Sequence, residues 1–563
     1  MTVALSAFLI HAQTLSFGFT NWDDDINVTL NPYVTPPSWA GVAHHWCNAY
    51  RSLYVPLVYT AFALDGLVGG GEPWAFHLSN VLLHAAAAVA VVLIVNRLMA
   101  PNPAAKPGSP YLWVVAAGAG LIFAWHPLQV EPVSWITGRK DVLSGCLALW
   151  AVWFYLRSAA DAPKPDLRRW SSFASVSYGG AFLLFCLSLT AKPSVVALPA
   201  GLLAIEWCLR PASVRRAAMR LAPWFAVAAG WAILTAASPL WKRPLIAADA
   251  VWFYLKTLAW PVNLAPVYGR TPDLVTANLW TVLGAMALIL TVAAALIKRG
   301  PLSAAGLFAL VMLMPVLGLT PFLFQNFSTV ADRYLYVSML GVALAVGTGL
   351  APVMRLSRRG RMFVGALAAA VLALLAGLSV RQARIWRDSF ALWEHNIRLY
   401  PQAAAAYHNL ANAHVLAGRD EAAYPLFEQA LALDPDFGES QNNLGLIEGR
   451  RGNHEQAVSR YNAALAAYER LNLRDTRVFE AQVNMAASLL ALRRLDEAES
   501  QLRAALDRHP DSWQALTNMG LVLAAKGDPA GARHYLEKAL EYSPGNPKIT
   551  AELQRLTASR SGP

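Results

Sequence analysis

Cysteine is scarce: the 563 residues contain four, Cys47, Cys146, Cys186 and Cys208. None forms a CxxC, no two are spaced as a pair and three fall in or beside apolar runs, which argues against a disulfide framework or a zinc site. Charge is scarce as well. Asp, Glu, Lys and Arg make up 14% of the chain against 56% hydrophobic residues, and the mean hydropathy of +0.37 is too high for one soluble domain. Long apolar runs in turn stop at Val380, and from Arg381 onward charges come every few residues. These absences divide the chain into an apolar membrane part, 1–380, and a soluble part.

The net charge of +11 divides the same way. Residues 381–563 hold 21 Lys+Arg and 22 Asp+Glu, whereas the first 380 hold 25 and 13, so the whole basic excess lies in the apolar part. There it has a topological role, because cytoplasmic loops of membrane proteins collect Lys and Arg. No nucleic-acid partner is expected.

A membrane-crossing helix needs about 20 mostly apolar residues. Eleven stretches qualify as candidates: 1–17, 75–96, 111–125, 141–158, 174–190, 194–209, 221–238, 279–297, 302–321, 334–352 and 362–380. The first is interrupted by His11 and Gln13. With no small-residue cleavage site after it, it reads as a first helix, not a signal peptide. The aromatic stretch 251–265, broken by Pro261, reads as an interfacial or re-entrant segment.

With the N-terminus inside, 16 of the 25 basic residues fall in inner loops, among them Arg97, Lys106, Lys164, Arg168, Arg169, Arg216, Arg299 and Arg359. The polar constellations then share the opposite face. They are Asp23-Asp24-Asp25, the segment His126–Asp141 with Glu131, Arg139 and Lys140, the AKP tripeptide at Lys192, and ADRYLY with Asp332, Arg333, Tyr334 and Tyr336. Such segregation predicts an outer-face active site.

The soluble part repeats. Asn409 and Asn443 are 34 residues apart, as are Asn484 and Asn518, with a seven-residue insertion near 466–478 between the pairs. Ala423, Ala457, Ala498 and Ala532 share this register, followed by Ala430, Ala464, Ala505 and Ala539, and Pro435, Pro510 and Pro544 close three repeats. Period 34 with small residues at helix crossings is the tetratricopeptide signature. The expected organisation is a membrane domain 1–380, an amphipathic connecting helix within 381–403, four repeats over 404–547 and a tail 548–563. With eleven spans the array lies outside. Two readings of the four asparagines stand: each bonds within its own repeat, or together they form a column of amides that binds an extended acceptor peptide.

Three adjacent carboxylates repel one another. One beside a like charge has a raised pKa, which suits a general base for transfer to a hydroxyl; the alternative is a solvated turn. A lipid-phosphate donor needs cations where leaving-group charge grows, and Arg139, Lys140, Lys192 and Arg333 are the candidates. Each has the alternative of an interfacial anchor. His77, Asn80 and His84 share one helical face, and a metal site with His126 is conceivable, but hydrogen-bonded helix packing is favoured. No metal ligands are assigned and the need for a divalent metal stays open.

Taken in order, NWDDD with Asn31-Pro32, EPWAFHLSNVLLH (72–84), HPLQVEPVSWITGRKD (126–141), LTAKPSVVALP (189–199), YLKTLAWPVNLAPVY (254–268) and ADRYLY (331–336) resemble the transmembrane and tetratricopeptide repeat-containing (TMTC) family along nearly the whole chain. The resemblance implies an all-α fold: a polytopic GT-C-type glycosyltransferase domain and an extracytoplasmic repeat solenoid. It implies transfer of a sugar, mannose in the eukaryotic members, from a polyprenyl- or dolichyl-phosphate carrier to a protein Ser/Thr hydroxyl, in a bacterial inner or endoplasmic reticulum membrane. Its paired acids fall on Asp23 and Asp24, the first as preferred base, with Asp25 at a variable position. The short N-terminus and the array of only four repeats depart from the family pattern. Two other functions remain open: transfer to a lipid-linked glycan or surface polymer, and an inactive membrane-anchored scaffold.

Overall fold

A computed structural model of the chain describes all residues except 52, 100–109, 161–175, 234–242, 277–291, 293–296, 320–322, 472, 474–475 and 559–563. Every regular element among the described residues is helical, and a single isolated bridge joins Tyr50 to Leu53. The chain divides into two compact units, Met1–Pro401 and Gln402–Pro563.

The first unit is built on Pro73–Met99, an apolar helix of 27 residues. Its alanine-rich side, with Ala87, Ala88 and Ala90 fully buried, admits close neighbours. A Cβ on Gly120 of the adjacent helix Pro110–Trp125 would stand 2.3 Å from Val92 Cγ2. Among the described residues, three helices can cross a membrane by length and composition: Pro73–Met99, Arg139–Ala159 and Arg358–Arg387. A fourth crossing is possible if Pro110–Trp125 and Pro127–Ser134, bent by 55°, form one span. Six further apolar helices of 10–17 residues, including Val176–Ala191, Pro301–Val316 and Met339–Val353, are shorter. The most apolar stretch of the last long helix is only 11% buried, against 61% in Pro73–Met99. Its exposed Met362, Phe363, Leu367 and Leu374 are apolar surface that lipid, not water, would cover.

Several expectations shift. The stretch 279–297 lies almost wholly outside the described residues, as do Lys106, Lys164, Arg168 and Arg169. The stretch 251–265 begins within Arg243–Ala259, a continuous helix, and the chain leaves it just before Pro261, whose ring bars helical continuation. The amphipathic helix Ser389–Leu399 lies in the first unit, which ends at Pro401. Its Trp393 is fully buried, and Trp393 Nε1 donates to Asn21 Oδ1 at 2.7 Å.

The second unit comprises four helix pairs from Ala404–Leu416 to Pro529–Tyr542, closed by Pro547–Ala558. All eight periodic alanines are fully buried where helices cross. The seven-residue insertion lengthens His454–Arg470 to 17 residues and Thr476–Ala491 to 16. The tight turns within the pairs place Gly418, Gly452 and Gly527 at φ +71°, +82° and +83°. Arg493 holds the equivalent position at φ +60°, a conformation that costs any residue with a Cβ.

Candidate active site

The loop carrying the three aspartates is tied down by the middle one. Asp24 is 1% exposed. Its Oδ2 accepts hydrogen bonds from the Thr20 N–H and hydroxyl, both at 2.9 Å. Its Oδ1 accepts from the Thr137 N–H at 2.9 Å and hydroxyl at 2.7 Å. Thr137 lies in the 126–141 segment, so Asp24 clips the two polar motifs together. Burial pushes its carboxyl up to about 7, against the hydrogen bonds, which favour the anion. With two donors on each oxygen, Asp24 has little capacity left for a substrate proton.

Asp23 faces the other way. Its φ of +67° lies in the left-handed region that Asp tolerates better than most residues. Its carbonyl accepts from the Asn27 N–H and side-chain amide, each at 2.9 Å, and Asn27 Oδ1 accepts from the Tyr59 hydroxyl at 2.9 Å. Thus held, its side chain stays 44% exposed and sits 4.0 Å from Lys140 Nζ. Asp25 Oδ1 accepts from the Ile26 N–H at 2.9 Å; burial, and then the charge of Asp23, raise its carboxyl above the usual range.

Three acid–base pairs form here: Asp23 with Lys140, Asp141 with Lys192, and Glu131 with Arg333. They are electrostatically continuous, since Asp23, Asp141, Arg333 and Lys192 all act on Lys140. Aromatic faces support the cations. Lys140 Nζ stands 5.4 Å from the Trp135 ring centre, Lys192 Nζ 5.3 Å from that of Tyr334, and the Arg333 guanidinium 4.4 Å from that of Phe324. Asp141, Lys192, Arg333, Tyr334 and Tyr336 border a cavity of about 20 Å³, room for about one water.

Other expected site residues are committed elsewhere. Arg139 is buried against Asp65 at 2.7 Å and donates to Asn80 Oδ1 and the Phe76 carbonyl, so its fork is unavailable to a phosphate. His126 uses both ring nitrogens, with the Leu258 carbonyl at 3.2 Å and the Leu128 N–H at 3.3 Å. It caps a short helix and leaves no lone pair for a metal. The Tyr336 hydroxyl bonds His84 Nδ1 at 3.0 Å in the core. Asp332 is buried with its carboxylate accepting from the Tyr268 hydroxyl at 2.7 Å, and burial raises it well above the usual range. Among the described residues no group of three or more His, Cys, Asp or Glu is arranged to hold a metal. Of that helical face, Asn80 Nδ2 donates to the Trp135 carbonyl at 2.9 Å and His84 Nδ1 bonds the Tyr336 hydroxyl, while His77 is buried edge-on to Phe17.

Sequence reasoning missed Thr20, Thr137, Asn27 and Tyr59. Only Thr137 lies within a quoted motif; Thr20, Asn27 and Tyr59 fall outside them and gave no signal. It also missed that Asn21 and Trp22 dock on Trp393, 371 or more residues along the chain, through the 2.7 Å bond to Asn21 and a 5.1 Å edge contact between the Trp22 and Trp393 rings.

In the array the asparagines behave differently from one another. Asn409 Nδ2 donates to the Ala405 carbonyl of its own helix at 2.8 Å. Asn442 donates to Asn443 Oδ1 at 3.5 Å and accepts from Asn484 Nδ2 at 3.4 Å, linking the first helices of successive repeats. All four, with Asn518, are half-buried.

Fold and site define a class: an apolar helical unit with a clamped acidic loop and clustered cations, followed by a repeat array. Tetratricopeptide repeat models match 404–437, 436–511 and 483–547. The protein O-mannosyl-transferase Tmtc3 of Drosophila melanogaster is 25% identical over 88% of this chain and 61% of its own length. Human protein O-mannosyl-transferase TMTC1 is 24% identical over 71% and 50%, and Drosophila Tmtc2 is 31% identical over 32% and 19%. The chain thus spans about three fifths of Tmtc3 and less of the other two. Among solved structures, Pseudomonas aeruginosa PilF is 25% identical over 28% of this chain and 70% of its own, with a TM-score of 0.25. Over most of its length the chain is similar to TMTC-type protein O-mannosyl-transferases, and its second unit matches tetratricopeptide repeat models.

Proposed function

We propose that the chain is a membrane glycosyltransferase of GT-C type that moves a sugar, mannose by analogy with the names of its relatives, from a polyprenyl-phosphate carrier to a protein Ser or Thr hydroxyl. Asp23 is the general base. It takes the hydroxyl proton as that oxygen attacks the anomeric carbon. The bond from that carbon to the phosphate oxygen breaks, and its electron pair leaves with the carrier phosphate. Lys140, Lys192 and Arg333 receive the leaving group, their present carboxylate partners holding them in place until it arrives. Asp24 positions the loop, and Asp25, Glu131, Asp141 and Tyr334 set the surrounding charge and shape. We place the reaction and the array on the extracytoplasmic face with eleven spans, the short apolar helices crossing as parts of broken spans or where the bilayer thins around them, and we assign Asn409, Asn443, Asn484 and Asn518 to the acceptor peptide.

One observation carries the reading: Asp23 is the acid of the pair with open oxygens, held at a positive φ beside a lysine. Asp23→Asn should abolish envelope or luminal glycoprotein modification, measured by intact mass, by roughly 10²- to 10⁴-fold, without loss of folded protein. Unchanged modification sinks the catalytic assignment. A topology reporter placed after Val380 should read extracytoplasmic; a cytoplasmic signal overturns the facing.

A further inference from the structure

The last long apolar helix, Arg358–Ala383, runs into an arginine-rich turn, and this turn and the helix Ser389–Leu399 enclose an open groove. Arg384, Arg387 and Arg398 line it together with Phe390, Glu394 and His395, around a volume of about 430 Å³. Arg387 pairs with Asp388 at 2.8 Å, but among the described residues Arg384 and Arg398 have no carboxylate partner and both are exposed. The uncompensated charge reaches into the fold: after burial, Arg398 and Arg381 help to keep His395 below the ordinary histidine range.

Two observations, taken with the proposed orientation, place this groove at a membrane surface. The helix leading to it is apolar and little covered by protein, so lipid is its natural surround. Trp260 and Val262 beside it are exposed, Trp260 by 67%, as in an aromatic interfacial belt. The residues that follow them are fastened to Ser389–Leu399 and its following residue, because His395 Nε2 donates to the Leu264 carbonyl at 3.0 Å and the Tyr400 hydroxyl to the Asn263 carbonyl at 2.8 Å. Finally, on the proposed orientation these arginines lie on the outer side, where basic residues are normally sparse.

We propose that this groove binds the phosphate of an anionic phospholipid headgroup, with the guanidinium forks of Arg384, Arg387 and Arg398 on the phosphate oxygens and Phe390 against the glycerol and upper acyl carbons. The bound headgroup steadies the acidic loop, because the Arg387 carbonyl accepts from the Gly18 N–H at 3.0 Å and Ser389 Oγ accepts from the Asn21 N–H at 2.9 Å. The inference rests on the membrane placement given above and not on the transfer reaction. Lipid retained by a chain without transferase activity upholds it and sinks only the other.

Native mass spectrometry of the full chain in detergent tests it, with phosphatidylglycerol, phosphatidylcholine and inorganic phosphate as probes. The chain should retain phosphatidylglycerol at least tenfold better than phosphatidylcholine. The triple variant Arg384→Gln, Arg387→Gln, Arg398→Gln should lose that preference, while Arg494→Gln, Arg503→Gln, Arg533→Gln in the array keeps it. Equal retention of the two lipids by the unaltered chain overturns the proposal, as does equal loss in the two triple variants. Displacement of phosphatidylglycerol by millimolar inorganic phosphate would assign the groove to free phosphate and overturn the lipid reading.

Discussion

In the array, polar partners lie about one repeat apart: Asp420 with Arg450 at a separation of 30 residues, Glu428 with Arg460 at 32, Asp436 with Arg470 at 34 and Asn442 with Asn484 at 42. Around the acidic loop they lie far apart: Asp24 with Thr137 at 113 residues and Glu131 with Arg333 at 202. The array's pairs are exposed or half-exposed, whereas Asp24, Glu131, Arg139 and Arg333 are buried. A repeat solenoid gains stability from nearest-neighbour contacts, and its surface ion pairs contribute little each. A buried charge network is different, because removing one partner leaves the other desolvated and unpaired. The apolar unit should therefore be brittle at single polar residues, and the array tolerant of them and brittle only at its small ones.

The largest effect that could break this contrast is at Arg139. Arg139→Met strands Asp65 in the core and should destabilise the first unit by about 3–5 kcal/mol, with much of the loss recovered by adding Asp65→Leu. Thermal unfolding of the purified chain checks both. A mild effect of the single variant would show the buried pair to be dispensable.

Next comes the pH dependence of Asp24. Its folded-state carboxyl is raised from 3.8 to about 7 by burial, so the folded state holds the proton more tightly than the unfolded chain. The contribution is present below about pH 4 and lost as pH rises through 7, up to about 4 kcal/mol by linkage. Asp24→Asn cannot titrate. Its unfolding temperature should fall less than that of the unaltered chain between pH 4 and 7, and parallel profiles would mean that the four hydrogen bonds hold Asp24 ionised throughout.

In the array the effects are smaller. Ala464→Leu puts three extra carbons into the packed space beside Tyr468, Val478 and Ala481 and should cost about 1–3 kcal/mol, read from the array's denaturant transition. Arg493→Gly relieves a left-handed arginine and should stabilise by about 1 kcal/mol or less, as the glycine gives back part of the gain in unfolded-chain entropy. A loss of stability would mean that the Arg493 side chain contributes contacts that outweigh its backbone strain.

How legible each region was follows from the same contrast. The repeat register located the buried alanines and the insertion, because the alanines recur at a fixed interval and are buried by the neighbouring repeat. The polar motifs of the first unit could be located but not sorted. Arg139 and Lys140 are adjacent in sequence, and nothing in their spacing says that one is locked to Asp65 and the other faces Asp23. Asp23 and Asp24 are likewise adjacent, yet Asp23 sits at a positive φ beside Lys140 while Asp24 is clamped by Thr20 and Thr137. His126 and Tyr336 carried chemistry in principle but are taken up by hydrogen bonds that hold helices together.

Composition and periodicity alone determined that the chain joins an apolar helical region to a tetratricopeptide array, since hydrophobic runs and a 34-residue interval are one-dimensional properties. The tertiary structure decided which acid is clamped and which is open, which cations share its field, and that the helix after the last long apolar segment braces the acidic loop. Those outcomes depend on which desolvated groups meet across more than a hundred residues, and pairing at that distance is set by how the helices pack.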